Sequence, residues 1–320
     1  MERELVVLGT ASQTPTRYRN HNGYLLRWDA HSILFDPGEG TQRQLLLAGL
    51  SGADVERICL THFHGDHCLG LPGLLARMAL DQVAGPVPIH HPGSGSEQLH
   101  HLLLAAPPHH PVPVERHAVD GSGEEAHTPI GTLVSRRLDH GEVHAVGWRL
   151  EEPDTVTMLP ERLEALGVHG ADRGRLQRDG RIAVAGRTVT VEEVSVPRPG
   201  QRFALVMDTR PCEGALELAA DADLLVCEST FLDAEADLAD RYAHMTARRA
   251  ARLAVEAGAR KLVLVHFSQR HPDETVFLAE AEDEAAGRVE VVAARDLDRV
   301  PVPPRRPAEP GAPPPTSDRS

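Results

Sequence analysis

The stretch THFHGDHCLG, residues 61–70, places three histidines and one aspartate within six consecutive positions. It directly follows a short apolar run, which predicts a loop at the carboxyl end of a strand. Neutral imidazoles and a carboxylate without a thiolate suit Zn²⁺, with Mn²⁺ and Fe²⁺ as lesser alternatives. Four ligands so close in sequence cannot easily surround one ion. His62, His64, Asp66 and His67 therefore predict a centre shared between two ions.

Three further strands are predicted to end on a residue that can bind a metal. The run TLVSRRLDH ends on His140, RFALVMD ends on Asp208, and KLVLVH ends on His266. Each residue alone is also explained as an ordinary polar side chain that closes a strand. Binding sites in α/β proteins, however, favour the carboxyl ends of strands, where side chains from several strands meet. We therefore expect these residues to join the histidine-rich stretch and complete a two-metal site.

Short apolar runs and amphipathic helical patterns occupy most of the chain, and strands dominate its first part. Strands are predicted at residues 4–9, 22–28, 31–38, 55–62, 132–140, 145–151, 202–209, 223–230, 261–267 and 289–294. Helices are predicted at residues 40–49, 71–82, 96–105, 212–220, 246–258 and 273–286. This order predicts an α/β fold in which layered sheets are flanked by helices.

Two segments differ from this pattern. Residues 151–201 are charged, glycine-rich and weakly periodic, with a short helix predicted at 159–167 and a hairpin at 181–194. We interpret this segment as an arm inserted into the core fold. The last 20 residues contain 8 prolines and no apolar periodicity, which predicts a disordered, proline-rich tail at 300–320.

The net charge, the apolar runs and the cysteine content limit which partners and which cellular compartment the sequence predicts. The formal net charge of −14 argues against a surface that is basic overall, so a nucleic-acid partner would need a local basic patch. No apolar run approaches the roughly 20 residues that span a bilayer, and the charged start of the chain predicts a strand rather than a signal peptide. The four cysteines have no CxxC spacing, and free thiols predict a cytoplasmic protein without a membrane anchor.

Several longer motifs add a resemblance to a known family. They are GTASQTPTRYRN (9–20), DPGEGTQRQL (36–45), THFHGDHCLGLPGLL (61–75), DTRPC (208–212), ESTFLD (228–233), HMTA (244–247) and HFSQR (266–270). Together with the predicted ligands, they resemble the ribonuclease Z family of the metallo-β-lactamase superfamily, in its actinobacterial type. The resemblance implies an αβ/βα four-layer sandwich at 1–299, with a flexible substrate-binding arm inserted at about 151–201.

The same resemblance assigns the metal ligands. One zinc ion would be held by His62, His64, His140 and Asp208, and the second by Asp66, His67, His266 and the same Asp208, which bridges the two. The histidine pairs at 90/91, 100/101 and 109/110 match neither a strand end nor the family pattern, and we interpret them as surface or structural residues. Cys59, Cys68 and Cys227 are interpreted as buried apolar fillers.

Four residues are expected to act on the substrate or on a proton. The resemblance implies Asp66 as general base and His244 as the donor of a proton to the leaving 3′ oxygen. Arg270 is expected to clamp a phosphate, because a guanidinium matches phosphate geometry. Glu228, at a strand end, is expected to orient His244.

The implied activity is zinc-dependent endonucleolytic removal of the 3′ trailer from precursor tRNA, which leaves a 3′-hydroxyl on the tRNA. Two ions would supply the attacking hydroxide. The resemblance also implies a homodimer, in which the arm of one subunit holds the tRNA that the other subunit cuts. One alternative is a hydrolase of the same fold that acts on small phosphodiesters or other esters. A non-catalytic binding protein is a second alternative, against which the complete ligand set argues.

Overall fold

The computed structural model describes residues 3–105 and 112–306. Two seven-stranded mixed sheets form the framework of the larger of two units. The first sheet has the spatial order β18-β1-β2-β3-β4-β5-β6 and contains β1 (Arg3–Gly9), β2 (Gly23–Trp28), β3 (His31–Phe35), β4 (Ile58–Cys59), β5 (Val87–Pro92), β6 (Val114–Val119) and β18 (Arg299–Pro301). The second has the order β17-β16-β15-β14-β9-β8-β7 and contains β7 (Glu124–Thr128), β8 (Gly131–His140), β9 (Val143–Glu151), β14 (Arg202–Val206), β15 (Leu224–Glu228), β16 (Lys261–Val265) and β17 (Glu290–Ala293).

Helices cover the outer face of each sheet. The helices of the larger unit are α1 (Thr41–Leu47), α2 (Gly65–Cys68), α3 (Leu71–Leu80), α4 (Ser96–Leu104), α8 (Glu213–Ala219), α9 (Ala236–Tyr242), α10 (Ala247–Glu256) and α11 (Thr275–Ala285). The apolar sides of α1, α3 and α4 pack on the first sheet, and those of α8, α10 and α11 pack on the second. Among the described residues, no helix combines the length and the apolar character needed to cross a bilayer.

The central strands are buried on both faces, so their residues of either parity are apolar. In β1, Val7 belongs to the cluster between the sheets, whereas Val6 belongs to the cluster under α1, α3 and α4. Across the central layer, the rings of Phe35 and Phe203 stack at 5.4 Å between centroids. The order helix, sheet, sheet, helix confirms the four-layer sandwich that the resemblance implied.

The sequence patterns miss four strands of this framework, β5, β6, β7 and β18. The segment VPIHHP forms β5, although its two prolines and two histidines hide the apolar alternation of a strand. The mostly exposed residues of β6 and β7 carry little apolar pattern at all. Their pairing with β5 and β8 decides their conformation, because a backbone ladder does not require apolar side chains.

The smaller unit contains Glu152–Gln201, where the arm is expected. Its elements are β10 (Thr155–Met158), α5 (Pro160–Ala165), α6 (Ala171–Asp179), β11 (Arg181–Val184), β12 (Arg187–Thr190), α7 (Val191–Val194) and β13 (Ser195–Arg198). The hairpin expected at 181–194 is therefore shorter, since its last four residues form α7. A small core holds these elements together, formed mainly by Leu163, Val168, Leu176, Ile182, Val189 and Val194.

The first residues of the tail expected at 300–320 are part of the first sheet. Arg299–Pro301 pairs with β1, and Val302 N donates to Arg3 O at 2.9 Å. Val300 and Val302 are buried, so this segment adds an edge strand despite its prolines. An edge strand tolerates proline because one side of its backbone needs no partner. Residues 307–320 lie outside the described part of the chain.

Two glycines allow the loop after β3 to touch the start of α3. Gly70 N donates to Pro37 O at 2.9 Å, and a Cβ atom on Gly70 would lie 1.9 Å from Gly38 O. A real Cβ cannot occupy that position. This close backbone contact fixes the loop that carries the histidine-rich stretch against the first sheet.

Replacement of Gly70 by alanine is expected to lower the free energy of unfolding by about 1–3 kcal/mol, because the backbone of one loop must shift. Urea unfolding of the two proteins measures the difference. Gly123→Ala is the control, since a Cβ there meets no atom within 4 Å, and its stability should change by less than about 0.5 kcal/mol. Equal unfolding midpoints for both variants would contradict this account.

Candidate metal centre

The predicted ligands meet because the carboxyl ends of several strands share one edge of the sandwich. The parallel strands β14, β15 and β16 end just before Asp208, at Glu228 and just before His266. β8 ends at His140, and β4 leads into the histidine-rich stretch. Within that stretch, Asp66 and His67 lie on the one-turn helix α2 rather than in a loop.

Asp208 lies between two groups of ligand-type side chains. In each group the ligand atoms lie within 4.8 Å of one another, and the groups are His62, His64, His140 with Asp208, and Asp66, His67 with His266. All seven residues are those that the sequence analysis selects. His244 also clusters with Asp208 and His266.

The two oxygens of Asp208 face different groups. Oδ2 lies 3.6 Å from His62 Nε2 and 3.7 Å from His140 Nε2. Oδ1 lies 3.4 Å from His67 Nε2 and 3.2 Å from His266 Nε2. Ligand atoms around a tetrahedral ion with bonds of about 2.0–2.2 Å stand roughly 3.3 Å apart. The spacing therefore fits one carboxylate that is shared by two ions.

Hydrogen bonds fix which ring nitrogen of each histidine faces the centre. Carboxylate and carbonyl oxygens accept only, so a ring nitrogen bonded to them carries the hydrogen, and its opposite nitrogen has a free lone pair. Nδ1 is bonded in this way in His67, with Asp36 at 2.8 Å, and in His140, with the Ala243 carbonyl at 3.1 Å. In His62 and His266, Nδ1 lies 3.0 and 2.7 Å from the hydroxyls of Thr61 and Thr230. Each hydroxyl donates its own hydrogen to a carboxylate, Asp36 or Glu228, and therefore accepts from the ring. His64 differs, since its Nδ1 points inward and lies 3.3 Å from His140 Nε2.

The lone pairs that converge here fit a metal ion. His62 Nε2, His266 Nε2 and Asp208 Oδ1 are buried and have no hydrogen-bond partner. Buried polar atoms are costly to leave without a partner. Burial lowers the pKa of His62 well below its ordinary value, which keeps the imidazole neutral, the form that binds metals. Three histidines with Asp208 in one group, and two histidines with Asp66 in the other, suit zinc.

Carboxylates supply the negative charge that a pair of cations needs. Although burial opposes it, the Asp208, Asp66 and Asp36 carboxylates raise the pKa of His67 well above its usual range. Burial likewise opposes ionisation of Asp66, yet His67 and His266 lower its pKa below the ordinary value. Burial also opposes ionisation of Asp208, yet His266 and His67 lower its pKa well below the ordinary value, so both carboxylates are ionised at neutral pH.

The backbone turns sharply at three of the strand ends. Asp36, Asp208 and His266 have φ angles of 46°, 39° and 61°, in the left-handed region that residues other than glycine rarely adopt. Such strain persists where the surroundings hold it, and it is often found at functional sites. Here it directs one carboxylate or imidazole from each strand end into the centre.

Beneath the centre, one buried carboxylate supports two histidines. Glu228 Oε1 accepts a hydrogen bond from His244 Nδ1 at 2.8 Å. Its Oε2 accepts from Thr230 Oγ1 at 2.6 Å, and that hydroxyl oxygen accepts from His266 Nδ1 at 2.7 Å. Glu228 therefore orients His244 directly and His266 through Thr230.

Thr230→Val removes this hydroxyl at nearly constant volume. We expect the affinity for the ion beside His266 to fall by about 10–100-fold, because the ring loses the acceptor that sets its tautomer and orientation. Competition with a chromophoric zinc chelator measures the affinity. Thr230→Ser keeps the hydroxyl and should bind zinc like the wild type, and a loss in the serine variant as large as in the valine variant would refute the relay.

A cavity of about 610 Å³ opens over the centre. Arg270 lines it, with its side chain 57% exposed and its guanidinium 4.0 Å from Glu235 Oε1. Tyr242, 54% exposed, lines the same cavity and stacks on Phe231. The guanidinium and the aromatic ring can therefore both reach a ligand held over the metal ligands.

Sequence reasoning missed two supporting residues. Asp36 is fully buried, accepts from His67 and also accepts from the hydroxyl of Thr61. It directly follows β3, so the strand-end signal that selects Asp208 applies to it as well. Thr230 carries no such signal, because a threonine two residues beyond a strand is common.

The remaining histidine pairs lie elsewhere. His90 and His91 are buried and therefore structural, whereas His100 and His101 are exposed. The pair at 109/110 lies outside the described residues. The four cysteines are free, and Cys59, Cys68 and Cys227 are buried, as expected for apolar fillers. Burial raises the pKa of Cys68 to about 12, and its Sγ donates to the His64 carbonyl at 3.2 Å. Among the described residues, the clusters of ligand-type side chains contain no cysteine.

Comparisons with known proteins agree with this geometry. A family profile described as the metallo-beta-lactamase superfamily matches residues 16–266. The chain is 56% identical to ribonuclease Z of Nocardia farcinica, over 95% of this chain and 99% of that protein. It is 55% identical to ribonuclease Z of Streptomyces coelicolor, over 95% and 99% of the two chains. Among solved structures it is similar to human tRNase Z, short form, with a TM-score of 0.67 and 23% identity over 94% and 99% of the chains, a likeness of fold.

Proposed function

The chain belongs to the ribonuclease Z family of the metallo-β-lactamase superfamily, the tRNA-processing endoribonucleases, and we propose that its metal centre removes the 3′ trailer from precursor tRNA and leaves a 3′-hydroxyl. The observation that carries the proposal is the position of Asp208 between two complete ligand groups. Such an arrangement serves in-line displacement at phosphorus, where two ions act on one phosphodiester.

We assign His62, His64 and His140 to one ion and Asp66, His67 and His266 to the other, with Asp208 shared. When bound, the two ions supply a hydroxide at neutral pH and offset negative charge on the phosphodiester. Zinc is the proposed metal, because imidazole and carboxylate ligands at these spacings suit it.

Proton transfers fall to two side chains at the centre. Asp66 is ionised and can accept a proton as general base. Burial alone would lower the pKa of His244, but the Glu228 and Asp208 carboxylates raise it to about 9. His244 is therefore protonated at neutral pH, the state that a general acid needs to protonate the leaving 3′ oxygen.

Arginines are proposed to hold the RNA. Arg270 lines the cavity and is placed to contact a phosphate on its exposed side. The expected arm carries seven arginines, and five of them lie close together in sequence, namely Arg173, Arg175, Arg178, Arg181 and Arg187, of which the last four are exposed. Arg175 and Arg187 pair with acidic neighbours, so phosphates would compete for them. Seven arginines against nine Asp and Glu residues leave the segment 151–201 without a net positive charge, so RNA contact is proposed for its exposed arginines rather than for the arm as a whole.

The test is incubation of the zinc-loaded protein with precursor tRNA labelled at its 5′ end, beside a small chromogenic phosphodiester. We expect one shortened RNA that poly(A) polymerase extends, since extension requires a free 3′-hydroxyl. Hydrolysis of the small ester without trimming of the precursor would favour the alternative of a small-substrate hydrolase and overturn this proposal.

A homodimer is proposed on the exposed leucines of α1 and α3. Leu46 and Leu80 are 70% and 78% exposed, large values for apolar side chains. The two helices contact each other at their first turns, where a Cβ on Gly73 would lie 3.3 Å from Gln42 Oε1. A second copy of the chain would cover both leucines and bring in a second arm.

Leu46→Glu is expected to convert a dimer into a monomer, because a charge would be buried in the contact. Light scattering coupled to gel filtration measures the mass. Leu216→Glu, on α8 over the second sheet, is the control and should remain dimeric. A monomeric wild-type protein would refute the proposed dimer.

The cytoplasm is the proposed compartment, and the four free thiols support it.

A further inference from the structure

A buried amide lies against the second ligand group. Asn22 precedes β2, and Tyr24 is the second residue of that strand. Both side chains are completely buried. The amide nitrogen of Asn22 lies 3.1 Å from His67 Nε2 and 3.4 Å from Asp66 Oδ2. The backbone carbonyl of Asn22 accepts a hydrogen bond from Gly38 N at 2.8 Å, which fixes the position of the residue.

The hydroxyl of Tyr24 sets the orientation of this amide. It donates to Asn22 Oδ1 at 2.6 Å. The opposite orientation would place the amide oxygen against Asp66 Oδ2, at the 3.4 Å that now separates that oxygen from the amide nitrogen. Two oxygens that only accept would then face each other without a hydrogen. The amide therefore presents its NH₂ group to the centre, held by the phenol behind it.

The two histidines of this group are each held by a hydrogen bond at Nδ1, whereas Asp66 has no such partner except the Asn22 amide among the described residues. Its Oδ2 lies 3.4 Å from His67 Nε2 and 3.5 Å from His266 Nε2, both of them ligand atoms of the same group. An ion would occupy those two lone pairs, so neither nitrogen can orient the carboxylate. Asn22 is the side chain outside the ligand groups that contacts Asp66, among the residues that the structure describes.

We propose that Asn22 is a positioning residue for the ion of Asp66, His67 and His266, and that Tyr24 fixes its amide for this purpose. The inference rests on the two-ion centre proposed above. The amide hydrogen bond holds the Asp66 carboxylate in the orientation that completes this group. Asn22 contacts two members of this group and lies outside the group of His62, His64 and His140. Loss of the Asn22 amide should therefore lower the affinity for this ion and leave the affinity for the other ion unchanged.

The experiment measures zinc affinity rather than cleavage. Wild-type protein, Asn22→Leu and Tyr24→Phe are loaded with zinc and titrated with chelators of graded affinity, and the zinc that remains bound is counted by elemental analysis. Ser32→Ala is the control. Ser32 lies on the neighbouring strand β3, and the change removes a buried hydroxyl that donates to Asp54 O at 2.6 Å. Unfolding of each chelated protein reports whether the fold itself is changed.

We expect wild type and Ser32→Ala to hold two ions alike. Asn22→Leu should bind one ion with unchanged affinity and the other about 10–100-fold more weakly. Tyr24→Phe frees the amide to rotate and should weaken the same ion by up to about tenfold. Tyr24→Phe removes a single oxygen atom, so this variant still tests the proposal if Asn22→Leu does not fold.

Unchanged affinity for both ions in the folded variants overturns the role of Asn22 and leaves the two-ion centre standing. Equal weakening of both ions also overturns it, because the contact belongs to one group. A wild-type protein that binds a single ion overturns the proposed centre itself, and with it this inference.

Discussion

Replacement of Asp208 by alanine is expected to reduce cleavage of precursor tRNA by roughly 10³-fold or more. Its two oxygens face both ligand groups, at 3.2–3.7 Å from four histidine nitrogens. Without it, each group loses a ligand and the centre loses a negative charge that offsets two cations. The protein should also lose zinc, so elemental analysis and single-turnover cleavage of the precursor are measured together.

Asp139→Ala is the matched control for this change. Asp139 adjoins His140 at the end of β8, but its side chain is 45% exposed and pairs with Arg210. We expect its zinc content to be unchanged and its rate to stay within a few-fold of the wild type. An Asp208→Ala variant that keeps two ions and a rate close to wild type would refute the bridging role.

Replacement of His244 by asparagine is expected to lower the maximal rate by about 10²–10⁴-fold, the usual contribution of a general acid. The two ions should remain, because the proposed ligand groups are complete without His244. This separates the variant from Asp208→Ala, which loses metal. His31→Asn is the control, since His31 also pairs with a glutamate, at 2.8 Å, but on an exposed part of β3.

The pH profile tests the same assignment. The Glu228 and Asp208 carboxylates hold the pKa of His244 at about 9 against the effect of burial. An acid works only while it is protonated, so the rate should fall as the pH rises through this pKa. Glu228→Gln removes one charge and lowers the pKa, so the alkaline limb should move to lower pH. An unmoved limb in Glu228→Gln would assign that limb to another group.

The proposed ligands were accessible to sequence reasoning because their signals are local. Four of them lie within six residues, and the other three directly close or follow an apolar strand. The layered fold could also be expected from the order of strand and helix patterns. By contrast, β5 and β6 show no apolar alternation, and the strand at Arg299–Pro301 is hidden among prolines.

The sequence by itself determined the chemistry of the centre: imidazoles and carboxylates at strand ends, in the order of a known family. The tertiary structure alone decided how each ligand is oriented. His67 meets Asp36 across 31 residues, His266 meets Thr230 across 36, and Asn22 reaches His67 across 45. The physical reason is that a hydrogen bond depends on distance and angle in space. Residue spacing reveals which side chains can bind a metal, whereas the fold selects the partners that hold them in position.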